Sequence, residues 1–175
     1  MLKINFWFFI VLSLMLLSGD NSLVVCSIYS ALFHELGHLL FILITKQKIN
    51  SLTFDSCVIN INLKSDFSTE LDNLLISSGG CLFNLIFLIV SVIFGLDNYI
   101  VVNLSLLIFN LLPIYGLDGY DILLCTKIKH KYLNVISLIF NVILLLFGLL
   151  LIYFKNYTIL IISIYLLILK KHSIK

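Results

Sequence analysis

The chain has no arginine, a single proline, and only 11% charged residues among its 175. Phosphate recognition draws on clustered Arg and Lys. Here the basic residues are lysines scattered through short polar stretches, with a formal net charge of +2, so nucleic-acid binding finds little support. The four cysteines, Cys26, Cys57, Cys81 and Cys125, lie far apart and form no CxxC pair. Neither a disulfide framework nor a cysteine zinc cluster is indicated, and they read as small apolar packing residues. Charge this sparse also cannot cover the surface of a water-soluble domain.

Apolar residues make up 61% of the chain, with a mean hydropathy of +1.15. Six apolar segments stand out, at 4–18, 23–45, 73–95, 99–117, 133–154 and 157–169. Several approach or exceed the ~18 residues that suggest a bilayer crossing. Their runs of Leu, Ile, Val and Phe do not alternate with polar residues as barrel strands do, so helices are expected. The fold class is therefore an all-α polytopic membrane protein with about six transmembrane helices, spanning 1–175 as one domain with no separate soluble part. The first segment has the length of a signal-peptide core, but no small-x-small site follows in Ser18-Gly19-Asp20-Asn21, and an uncleaved helix is simpler.

Lysine placement orients the chain, because short Lys-rich loops stay cytoplasmic. With the N-terminus inside, Lys3, Lys46, Lys48, Lys64, Lys127, Lys129, Lys131, Lys170, Lys171 and Lys175 are all inside and only Lys155 is outside. Both termini are expected in the cytoplasm. The 46–72 loop differs in kind, since 58–64 alternates apolar with polar residues. With Leu52-Thr53-Phe54 before it, a short β-hairpin at the cytoplasmic surface is expected.

The second apolar segment contains Phe33-His34-Glu35-Leu36-Gly37-His38, an HExxH pattern. On a helix His34 and His38 lie one turn apart on one face, so both imidazoles can converge on one zinc ion, with Glu35 beside them to activate water. Composition alone would produce this pattern with a chance on the order of one in a thousand. Charged side chains at a helix centre in lipid cost ~2.5–3.5 kcal/mol each on insertion scales, so such a cluster demands a compensating partner. A divalent cation compensates it.

Catalytic zinc normally has three protein ligands and keeps one position for water. Asp118, in Asn110-Leu111-Leu112-Pro113-Ile114-Tyr115-Gly116-Leu117-Asp118-Gly119, is the strongest candidate for the third, because Pro113, Gly116 and Gly119 can break the helix and turn the carboxylate back. Asp121 is the fallback. His130 and His172 lie among lysines and read as solvated. Gly79 and Gly80 suit either close helix packing or a substrate path, and Gly37 suits the approach of another helix. Asn84 and Asn110 suit either bridging between helices or pairing with an unwound substrate backbone.

These motifs resemble those of the site-2 protease family of intramembrane zinc metalloproteases, whose signatures are HExxH on one membrane helix and NxxPxxxLDG on a later one. Gly80-Cys81-Leu82-Phe83-Asn84 is similar to the family's GxxxN element, with Cys81 where proline is frequent. The resemblance covers roughly 23–121. The short six-helix form looks most like the branch containing stage IV sporulation protein FB, although Gly116 and Tyr120 stand where proline and glycine are common in that branch, and no arginine follows the LDG.

The resemblance implies a zinc metalloendopeptidase with one Zn2+ per chain, held by His34, His38 and Asp118, with Glu35 as general base. For Asn110, Asn84 and Gly80, contact with substrate stays one of the two readings given above. The resemblance also implies a membrane-bound protein substrate, such as a pro-sigma factor or another regulatory precursor, a regulatory membrane partner, and the lipid bilayer as the setting. The edge of the 52–64 hairpin offers strand addition to an extended substrate. Two alternatives of other classes are an intramembrane metal or proton transporter, disfavoured by the nearly pure apolar outer halves of the helices, and a catalytically inactive scaffold, disfavoured by the intact Glu35.

Overall fold

The computed structural model describes residues 2–4, 21–46, 49–55, 58–63, 69–126, 128–155 and 157–173. The first apolar segment, 4–18, lies almost wholly outside the described residues, as does Cys57. The chain divides into two compact units, Met1–Leu107 and Ile108–Lys175.

In the first unit, helix α1 runs Asn21–Ile44 and helix α2 runs Glu70–Phe94. At 24 and 25 residues, each has a length of about 36 Å, more than the ~30 Å hydrocarbon layer requires. Each has a chemically defined end. Thr45 turns its hydroxyl onto the Phe41 carbonyl at 2.8 Å, and Lys46 then takes a left-handed conformation that stops α1. Helix α2 begins with a reciprocal capping box, in which the Asp72 amide donates to Thr69 Oγ1 and the Thr69 amide donates to Asp72 Oδ2, both at 3.1 Å. It ends at Gly95, whose φ of 66° is open to glycine and strained for other residues.

Two strands between them in the chain, β2 (Ile49–Asp55) and β3 (Val58–Leu63), form a three-stranded sheet with the N-terminal β1 (Leu2–Ile4). Strand β2 pairs antiparallel with β3, from Ile49 opposite Leu63 to Asp55 opposite Val58, with a register shift between Ile49 and Ser51. Strand β1 pairs parallel with β2, Leu2 opposite Leu52. An N-terminal strand was not expected from the sequence: three residues are too few to display an alternating pattern, and only pairing with β2 defines it.

Helix α3 covers Asp97–Asn110. The expected fourth segment, 99–117, is therefore shorter as a helix, ending three residues before Pro113. A proline ring clashes with the carbonyl four residues back and supplies no N–H, so the helix closes ahead of it. In the second unit the chain then turns through Pro113 and Gly116, where φ is +92°, into the short helix α4 (Asp118–Leu124). Helix α5 (His130–Leu151) continues as a 3-10 turn through Phe154, and α6 spans Thr158–Ser173. Ile114, Leu117 and Leu166 form the buried apolar cluster that joins the turn to α6.

Among the described residues, three helices are long and apolar enough to cross a membrane: Ser22–Ile44, Glu70–Phe94 and His130–Phe154. Only 17% of the apolar window of the third is buried within the protein. Its Val135, Ile139, Ile143, Leu146 and Leu150 are exposed. Such a surface is stable against hydrocarbon and unstable against water.

Candidate metal centre

Helices α1 and α2 cross at two glycines. A Cβ built on Gly79 would lie 2.7 Å from the Gly37 carbonyl oxygen, and one on Gly37 would lie 2.9 Å from Phe83 Cγ, so the two backbones touch without intervening side chains. Phe33 packs on Phe83 and Phe87, with centroids 5.2 and 5.0 Å apart, and holds the crossing from one side. This approach carries α2 across the HExxH face of α1.

The two motif histidines converge there. Their Nε2 atoms are 3.3 Å apart, with the rings edge to face. His34 is buried, and each outer nitrogen has a partner on α2. His38 Nδ1 lies 2.7 Å from the Ile76 carbonyl, which can only accept, so Nδ1 carries the proton and Nε2 presents its lone pair inward. His34 Nδ1 lies 3.0 Å from the Asn84 amide, and Asn84 is wholly buried. Oxygen and nitrogen of that amide are interchangeable by a half-turn. With its oxygen toward His34, Asn84 accepts from Nδ1–H and turns a second Nε2 lone pair onto the same point.

Two lone pairs aimed at one point repel unless a cation lies between them. Nitrogens held by one tetrahedral zinc at about 2.05 Å sit about 3.3 Å apart, the separation seen here. Gly80 supplies the room. A Cβ at that position would lie 2.5 Å from His34 Cε1 and Nε2, and it would also collide with His38 Nε2. The donor set, the separation and the bare glycine face all fit a zinc ion.

Gly80 therefore faces the imidazoles, and Gly79 serves the helix crossing. Of the two roles open to Asn84 in the sequence, the geometry favours a hydrogen bond to His34. Its type of signal, one polar residue in an apolar helix, does not disclose its partner. Glu35 follows His34 on α1, half-buried and engaged in interactions of its own.

In the second unit Asp118 is the first residue of α4, and Asn110 is the last of α3. Gly119 packs so closely that a Cβ there would lie 2.5 Å from the Leu111 carbonyl carbon. Leu117 is buried in the cluster with Ile114 and Leu166. Asp118 is thus flanked by two closely packed residues. Asp121 is exposed, and so is His130.

The fold is similar to that of a known protease. The Site-2 Protease from Methanocaldococcus jannaschii superposes with a TM-score of 0.69 at 23% identity, over 94% of this chain and 86% of that one. No protein-family model and no curated protein matches the chain. At this identity the likeness concerns the fold, and the chemistry must be argued from the chain's own residues.

Proposed function

We propose that the chain is an intramembrane zinc metalloprotease of the site-2 type, hydrolysing a peptide bond in or near a transmembrane segment of a membrane-bound substrate. The observation that carries the reading is the inward-facing His34 and His38 pair, with Nε2 atoms 3.3 Å apart over the bare face of Gly80. The fold likeness supports it.

In this reading His34, His38 and Asp118 hold one zinc ion. Two imidazoles leave such a site one ligand short, and the carboxylate of the LDG turn supplies the third. When bound, zinc acidifies a water molecule and polarises the scissile carbonyl. Glu35, one residue from the first ligand, takes the water's proton and returns it to the departing amine. Asn84 orients His34 through Nδ1, fixing its tautomer and ring plane. Asn110 pairs with substrate backbone groups freed by unwinding, which have no water to bond in lipid.

We further propose six crossings with both termini cytoplasmic, and a regulatory precursor such as a pro-sigma factor as substrate, with a membrane partner that controls access. Thiol labelling of single-cysteine variants tests the orientation: labelling of the 46–72 loop from outside would contradict it. The catalytic reading is tested by co-expression with candidate single-span membrane proteins. A cleavage product is expected with the natural chain and absent with Glu35→Gln. Product formed equally by both would refute the proposed role of Glu35.

A further inference from the structure

The aspartate-bearing turn is tied to the rest of the second unit by side chains that the proposed reaction does not use. Tyr120, two residues after Asp118, is 4% exposed and donates its hydroxyl to Asn134 Oδ1 on α5 at 2.9 Å. The backbone carbonyl of the same Asn134 accepts from Lys170 Nζ on α6 at 2.8 Å. Tyr115 closes the other side. Its ring stands edge-on to Tyr120 with centroids 5.3 Å apart, and its amide donates to Ser137 Oγ on α5 at 2.9 Å. Asn134 therefore receives a turn residue on its side chain and the last helix on its backbone.

A tyrosine hydroxyl and a lysine ammonium in an apolar unit must each find an acceptor, and leaving either without one is costly. Here one residue of α5 supplies an acceptor to each. The Lys170 bond is charge-assisted and takes the second lone pair of a carbonyl already placed in a helix. The consequence falls on Asp118, because Gly119 is locked against the Leu111 carbonyl and Tyr120 is locked to α5. The backbone that follows Asp118 is thereby tied to α5, and through Asn134 to α6.

We infer that Tyr120 and Lys170 are positioning residues for the Asp118 carboxylate, acting through Asn134. This rests on the reading of Asp118 as a zinc ligand. It makes the last helix a brace of the metal site, since a change in α6 reaches the ligand through Lys170 and Asn134.

The test uses the full chain in lipid nanodiscs, with zinc affinity measured by competition against a chromogenic chelator. The absorption spectrum of the cobalt(II)-loaded protein serves as a second readout, and the melting temperature of the metal-free protein as a third. Tyr120→Phe is expected to lower zinc affinity about tenfold, as loss of an outer-shell partner does, and to shift the cobalt bands, while the metal-free melting temperature falls only by the modest amount that one lost buried hydrogen bond brings. Lys170→Met is expected to act in the same direction, and Lys170→Arg to restore affinity. The double variant should fall short of the product of the single effects, because both act on one residue. In an Asp118→Asn background the Tyr120→Phe effect should vanish. Natural zinc affinity and cobalt spectrum in Tyr120→Phe, or an undiminished effect in the Asp118→Asn background, would overturn this inference alone. A natural chain that takes up no zinc would overturn the metalloprotease reading and this inference together.

Discussion

Gly80→Ala is the sharpest test of the two-histidine site. The added methyl carbon would stand 2.5 Å from His34 Cε1 and Nε2. Ordinary carbon contacts begin near 3.5 Å, so about 1 Å of movement must be found. The methyl cannot move, because it is fixed to the backbone of α2, and α2 is held against α1 at Gly37 and Gly79. The imidazoles must therefore give way. Metal–ligand distances tolerate about 0.2 Å, far less than the movement required. Overpacking of this kind costs about 1–3 kcal/mol. The share of that cost borne only with the metal in place lowers zinc affinity, by at most roughly 150-fold at about 1.4 kcal/mol per factor of ten.

The assay is zinc content and competitive affinity of purified Gly80→Ala beside Gly95→Ala. A Cβ at Gly95 meets nothing within 4 Å, and its cost lies in the φ of 66° alone. That control should lose about 1–2 kcal/mol of stability from the left-handed backbone and keep its zinc affinity. Unchanged zinc affinity in Gly80→Ala would refute the placement of the metal between the histidines and α2.

Four further outcomes are expected. Glu35→Gln should retain stoichiometric zinc and lose cleavage, measured by metal analysis and by product on co-expression. Asn84→Ala should weaken zinc binding by about 10- to 100-fold through loss of the His34 Nδ1 partner, read by chelator competition. Thr69→Ala removes the capping box at the start of α2 and should cost about 1 kcal/mol, seen as a lower melting temperature with zinc affinity unchanged. The buried pair of Asn103 Nδ2 and Ser30 Oγ, 3.0 Å apart, joins α3 to α1. Asn103 Nδ2 also donates to the Tyr99 carbonyl at 2.8 Å, so Ser30→Ala should cost only about 1 kcal/mol, the worth of one buried hydrogen bond, and its effect should be non-additive with that of Asn103→Leu in a thermal double-mutant cycle.

The sequence by itself determined the apolar character of the chain, the course of its long helices to within about three residues, and the spacing of His34 and His38. Hydropathy and local spacing are properties of contiguous residues. That is why His34 and His38 could be paired one turn apart, and why the break around Pro113 and Gly116 was legible. The same locality explains what was not. The 99–117 run reads as one apolar segment, yet its helix stops at Asn110, because a proline acts on residues before it as well as at its own position.

Tertiary structure alone decided partners. Gly79 and Gly80 are adjacent and identical in sequence, but one meets the Gly37 backbone and the other the imidazoles, since successive residues of a helix point about 100° apart. Asn84 finds His34 fifty positions away, and Tyr120 and Lys170 meet at Asn134. Such pairings join residues distant along the chain, and no local pattern encodes them. They exist only once packing has fixed which faces touch.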